Sequence, residues 1–192
     1  PGSPKLQRKR DGWWGRSGSK RAMPGRDTDD RVSIEGDEMT ESNTDVDVVI
    51  VGAGFAGMYE LVRMRRAGFS AVVLETADDV GGTWYWNRYP GARCDILSVD
   101  YSYSWDPDLQ QEWTWSERYP EQPEILRYLN HVTDRFDLRR DIRFGARVTA
   151  AHYDTAANCW HVTTEAGERY DARFLITAVG CLSSANIPNI PG

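Results

Sequence analysis

The residues best placed to do chemistry begin with glycines. Gly52-Ala53-Gly54-Phe55-Ala56-Gly57 is a GxGxxG set. In such a set the first glycine permits a tight turn, the second lets the backbone approach a pyrophosphate, and the third allows a helix to pack closely on a strand. The free N–H groups and the positive dipole end of a helix starting there would face the phosphates. Glu75 follows 23 residues after Gly52, a distance at which a carboxylate can accept both hydroxyls of an adenosine ribose. A second dense stretch, Gly81 to Asp95, mixes three glycines, Trp84, Tyr85, Trp86 and Tyr89 with Arg88, Arg93, Cys94 and Asp95. The other reactive side chains are scattered. Cys94, Cys159 and Cys181 form no CxxC pair, and His131, His152 and His161 are not spaced as ligands, so no metal site is expected. Cys181, after Gly180, reads as a small residue packing at a strand end rather than a reactive thiol. No nucleophile elbow, P-loop or zinc pattern occurs.

The glycines matter only if a strand and a helix flank them. Val46-Asp47-Val48-Val49-Ile50-Val51 is a β-branched run that reads as a strand buried on both faces of a parallel sheet. Phe55, Met58, Tyr59, Leu61, Val62 and Met64 then recur at helical spacing up to Ala67, with Gly68 as a stop. Ala71-Val72-Val73-Leu74 is a second strand and ends on Glu75. The result is a βαβ unit with an acid at its second strand tip, a dinucleotide site that favours FAD or NAD over a 2′-phosphorylated nucleotide. Residues 76–121 have no sustained period and read as long functional loops with short turns. Pro123 opens an amphipathic helix running to Phe136, and Ile142 to Thr164 alternates as a hairpin broken at Ala156-Ala157-Asn158. Phe174-Leu175-Ile176 is the last buried strand, leading into Ala178-Val179-Gly180. The fold class is α/β, a Rossmann-like dinucleotide-binding domain with a parallel sheet and a small antiparallel β-meander.

The chain has 192 residues and a net charge of -6, which argues against a general nucleic-acid binder. The charge is uneven. Residues 1–26 carry eight basic residues and one acid, and residues 27–47 carry one basic residue and nine acids. Residues 1–44 read as a disordered leader, because Gly, Pro and Ser among cations bury too little apolar surface to offset ordering entropy. Trp13 and Trp14 could stack on bases or lie on a membrane surface, but a solvated leader is the plainer reading. Met39 is the expected natural start. The N-terminal stretch lacks the apolar run of a signal peptide and no segment reaches the ~18 apolar residues of a membrane span, so a soluble, reduced, cytoplasmic setting is expected.

Gly81-Gly82-Thr83-Trp84, followed by Asn87-Arg88-Tyr89-Pro90-Gly91-Ala92-Arg93-Cys94-Asp95, resembles the Baeyer-Villiger monooxygenases, the ketone-oxidising branch of class B flavoprotein monooxygenases. The likeness runs from about Asp45 to Gly192 and includes Trp113-Thr114-Trp115 and Gln122-Pro123-Glu124-Ile125-Leu126. It implies that residues 45–192 are an FAD-binding domain in which Gly52, Gly54, Phe55 and Gly57 hold the pyrophosphate and Glu75 the ribose. It further implies that Thr83, Trp84 and Trp86 line the flavin, that Asp95 is the active-site aspartate with Tyr101 near the same cofactor, and that Val148 meets the adenine end through its backbone. Arg93, Cys94 and Asp95 would touch NADPH, although a surface ion pair is an open alternative for Arg93.

By the same resemblance, the parent enzyme uses NADPH and dioxygen to convert a small-molecule ketone into an ester or lactone. No protein, membrane or nucleic-acid partner is expected. Two departures stand out. The family's Ala-Thr-Gly is Ala178-Val179-Gly180 here, without the hydroxyl, and the chain stops at Gly192 before a second GxGxxG. The expectation is an N-terminal fragment, lacking the NADP domain and its catalytic arginine, that does not turn over alone. Alternatives are a flavin monooxygenase acting on nitrogen or sulfur, and a non-catalytic FAD-binding module.

Overall fold

The computed structural model describes residues 43–182 and 187–191; Met39 and the leader up to residue 42 lie outside them. Strand β1 (Asn43–Val51) leads through the glycine loop into helix α1 (Phe55–Arg66) and strand β2 (Ala71–Leu74). Short helices α2 (Thr83–Trp86) and α3 (Pro107–Glu112) precede the longer α4 (Gln122–Arg135). Strands β3 (Ile142–Arg143), β4 (Val148–Asp154), β5 (Cys159–Thr164) and β6 (Arg169–Thr177) complete a six-stranded sheet ordered β3-β2-β1-β6-β5-β4. The β3-β2-β1-β6 portion is parallel and β6-β5-β4 is an antiparallel meander.

Alternation along β1 builds two cores, as a strand buried on both faces requires. Val48 and Ile50 join Met58 and Leu61 of α1 and Ile125, Leu129 and Val132 of α4. Val49 joins Val72, Leu74, Val162, Tyr170 and Ala172 on the other side. β1 begins at Asn43, three residues before the β-branched run, because β6 pairs with it in parallel from Asn43↔Arg169 to Val51↔Thr177. β6 is correspondingly longer than the expected Phe174–Ile176 strand, since its first half also pairs with β5. Phe174 is 47% exposed rather than buried and packs edge-on against Phe69. Helix α3 interrupts the expected loop region. Its signal is local: Asp106 caps it by accepting from Leu109 N at 3.0 Å, and Pro107 occupies the first turn.

An aromatic stack fastens α4 to this loop region. The Tyr128 hydroxyl accepts the backbone N–H of Tyr103 at 2.9 Å. Burial pushes the Tyr128 phenol up to about 12, outweighing the opposing effect of that hydrogen bond. Tyr128→Phe therefore leaves the buried Tyr103 N–H without its acceptor. The expected cost is about 1–3 kcal/mol, read as a lower urea midpoint at unchanged slope. An unchanged midpoint would show that the bond contributes nothing net.

Candidate functional site

A cleft of about 740 Å³ opens at the C-terminal ends of β1, β2 and β6. Its floor is the glycine loop. Gly52 has φ +102°, and a Cβ there would sit 2.7 Å from the Ala178 carbonyl oxygen, so this turn is closed to other residues. Gly57 is tighter still: an added Cβ would lie 1.8 Å from the Gly52 oxygen. Gly54 differs in kind. Its φ is −81°, and a Cβ would make only ordinary contact, 3.5 Å from Gly82 Cα. Nothing among the described residues demands glycine at position 54; a side chain there would intrude where Gly54 lines the cleft. The first intrahelical bond of α1 runs from Met58 N to Gly54 O at 3.1 Å, so the N–H groups of Phe55, Ala56 and Gly57 precede the helical ladder, with no side chain capping them.

Glu75 lines the same cleft and is only 5% exposed. Its two oxygens each accept a backbone N–H, Ala53 at 2.6 Å and Ala77 at 2.8 Å. The carboxylate thus ties the glycine loop to the segment after β2 while keeping further lone pairs for a ligand.

The opposite wall is aromatic. Trp84 is 8% exposed, and its indole N–H donates to the Tyr101 hydroxyl at 3.0 Å. Burial raises the Tyr101 phenol, partly opposed by that indole donor. Thr83, Trp86, Tyr101 and Val148 also line the cleft, with Trp86 56% exposed. The aromatic run Trp84 to Tyr89 divides between interior and surface, as side chains too close together for one buried face must.

The structure thus gathers Gly52, Gly54, Phe55, Glu75, Thr83, Trp84, Trp86, Tyr101 and Val148 around one cleft, with Gly57 packed behind it. It does not bring Arg93, Cys94 or Asp95 into that lining. Their segment is pinned to residues 118–122 through Cys94 N to Pro120 O at 3.0 Å and Gln122 N to Ala92 O at 2.9 Å. Arg93 makes the surface ion pairs, donating to Glu117 and, at 2.6 Å, to Glu121. Cys94 is buried and Asp95 exposed.

Several further residues shape the cleft beyond the predicted site residues. Gly81 and Gly82 have φ of +133° and +52°, and Gly81 N donates to Ala53 O at 3.0 Å, laying the second glycine pair over the first loop. The glycine doublet is a usable signal. Gln122 donates from Nε2 to the Trp84 carbonyl and so fixes α2; no local pattern announces that. Arg147 and Leu182 also line the cleft without a sequence cue.

The family model described as pyridine nucleotide-disulphide oxidoreductase matches residues 49–192. The chain belongs to this family. Among its relatives, an acetone monooxygenase (methyl acetate-forming) of Gordonia sp. is 47% identical over 79% of this chain and 28% of its own length. The phenazine N-monooxygenase PhzNO1 of Lysobacter antibioticus is 45% identical over 78% of this chain and 28% of its own. A solved oxidized steroid monooxygenase bound to NADP superposes with a TM-score of 0.75 at 58% identity, covering 78% of this chain and 29% of that one. The OTEMO complex with FAD and NADP gives 0.72 at 45% identity, covering 77% and 28%. The chain therefore spans less than a third of the length of each of these relatives, and it is similar to Baeyer-Villiger and related flavin monooxygenases over most of its own length. Among the described residues, no helix is long and apolar enough to cross a membrane.

Proposed function

We propose that the chain is the N-terminal FAD-binding part of a Baeyer-Villiger monooxygenase that uses NADPH and dioxygen to oxidise a small-molecule ketone to an ester or lactone. The carrying observation is the glycine floor, where Gly54 is unnecessary to the fold itself and sits beside unladdered helix N–H groups and a buried acid. That donor set fits FAD: N–H groups and a helix dipole for a diphosphate, a carboxylate for the ribose, and an aromatic wall for a flat ring. When bound, FAD supplies the redox and oxygen chemistry.

The chain's own residues do the rest. Gly52 and Gly57 hold the loop against β6 and α1, the N–H groups of Phe55 to Gly57 donate to phosphate oxygens, and Glu75 accepts from the ribose. Trp84, fixed by Tyr101 and Gln122, shields the ring face from water together with Thr83 and Trp86. Val148 offers backbone to the adenine. We assign Asp95 the orienting carboxylate of the reaction and Arg93 and Cys94 a contact to NADPH, all three at the site completed by the remainder of the enzyme; this chain alone is expected to be inactive.

The 45% identical phenazine N-monooxygenase favours a second reading, oxidation at nitrogen. A heteroatom substrate and a cyclic ketone offered to the full-length enzyme separate the two. The first test is an absorbance spectrum of the purified chain, taken after incubation with FAD and gel filtration. A flavin band eluting with the protein is expected. A folded chain without the band would overturn FAD binding by this domain.

A further inference from the structure

The meander carries a group of reactive side chains that the FAD cleft does not use. Cross-strand register pairs His161 of β5 with His152 of β4 and with Asp171 of β6, and pairs Cys159 with Asp154. Side chains paired directly, or two apart on one strand, share a face, so one face of the meander presents two histidines, two aspartates and a cysteine. From this grouping we infer that Cys159, His161 and Asp171 form a binding site for a divalent metal ion of the zinc type, the ligand atoms of the three lying within 4.8 Å of one another.

The ligand chemistry is coherent. Thiolate, imidazole and carboxylate suit Zn²⁺ or Co²⁺ and disfavour Ca²⁺ and Mg²⁺, which take oxygen ligands. Zinc bond lengths of about 2.0–2.3 Å place tetrahedral ligands roughly 3.3–3.6 Å apart, so the wider-spaced ligand atoms close by about 1 Å while the ion parts the direct contact of His161 Nδ1 with Asp171 Oδ1, now 2.6 Å. Three protein ligands leave a fourth position for water. Asp154 Oδ2, 3.8 Å from His161 Nε2, adds a further negative charge at the second ring nitrogen.

The position already stabilises a cation. Arg169 places Nη2 2.8 Å from His161 Nδ1 and Nε 3.0 Å from Asp171 Oδ1. A bound dication takes over both contacts. Arg169, 38% exposed in its side chain, contacts the same two residues and so competes with an ion for the site. An ion here would staple β5 to β6 across their hairpin, joining His161 to Asp171 ten residues further on.

The test is a Co²⁺ titration of the chelator-treated chain, followed by the thiolate-to-cobalt charge-transfer absorption, with Zn²⁺ as competitor. The expected result is one Co²⁺ per chain, displaced by Zn²⁺, with Zn²⁺ raising Tm by about 3 °C or more. Cys159→Ser abolishes the band and Cys181→Ser leaves it intact. Asp171→Asn weakens binding at least about 10-fold. Arg169→Gln tightens it, an effect that adventitious thiol binding would not give. A folded chain with no band, a band that survives Cys159→Ser, or weaker binding in Arg169→Gln each overturns the site.

Discussion

Gly57→Ala is expected to cost the protein at least about 3 kcal/mol, although alanine is the better helix former by about 1 kcal/mol at an unconstrained interior position. The added Cβ would lie 1.8 Å from the Gly52 oxygen and 3.0 Å from its carbonyl carbon, both backbone atoms that no rotamer change can move. Relief requires α1 to withdraw from β1 at the very turn whose N–H groups face the cleft. The folded state should therefore lose stability and FAD binding together. Gly54→Ala is the control that separates the two effects. Its backbone has φ −81° and a Cβ there makes only ordinary contact, so stability should hold while FAD affinity falls at least about 10-fold. Urea midpoints and flavin fluorescence quenching on both variants measure this. A Gly54→Ala chain that binds FAD as well as the parent would remove the glycine floor from cofactor binding.

Glu75→Gln is expected to weaken FAD binding by about 10- to 100-fold and to destabilise the chain by about 1–3 kcal/mol. The carboxylate is buried and accepts one N–H on each oxygen, from Ala53 and Ala77. An amide of the same shape offers one acceptor and must turn its NH₂ toward the other backbone donor. Two donors then face each other in a site sheltered from water, and the link between the glycine loop and the segment after β2 loosens. The ribose loses one of its charged acceptors in the same step. The flavin dissociation constant and the urea midpoint of this variant should shift together. A stability loss without a change in FAD affinity would confine Glu75 to a structural role.

How much of this was legible beforehand follows from the range of the interactions. Val46–Val51, the GxGxxG set, the α1 and α4 stripes and Glu75 at a strand tip are local patterns, set by the 2.0 and 3.6 residue periods and by glycine's freedom at positive φ, and these elements form where those patterns stand. The strand-turn-helix-strand order alone determined a nucleotide-type cleft at the sheet's C-terminal edge. The family resemblance added which aromatic residues to look for.

Other features exist only through contacts between distant segments. β1 extends to Asn43 because Arg169 to Asp171 pair with it. Gln122 steadies Trp84 from 38 residues away. Arg93 turns to Glu117 and Glu121 rather than to the cleft, because its segment is pinned to that loop. Cys159, His161 and Asp171 have no ligand-like spacing along the chain, yet the meander's register sets them within 4.8 Å. A local period specifies which face a residue takes; only the pairing of strands and the closing of loops specifies which residue it meets there, because that choice belongs to long-range contacts that no short stretch of sequence contains.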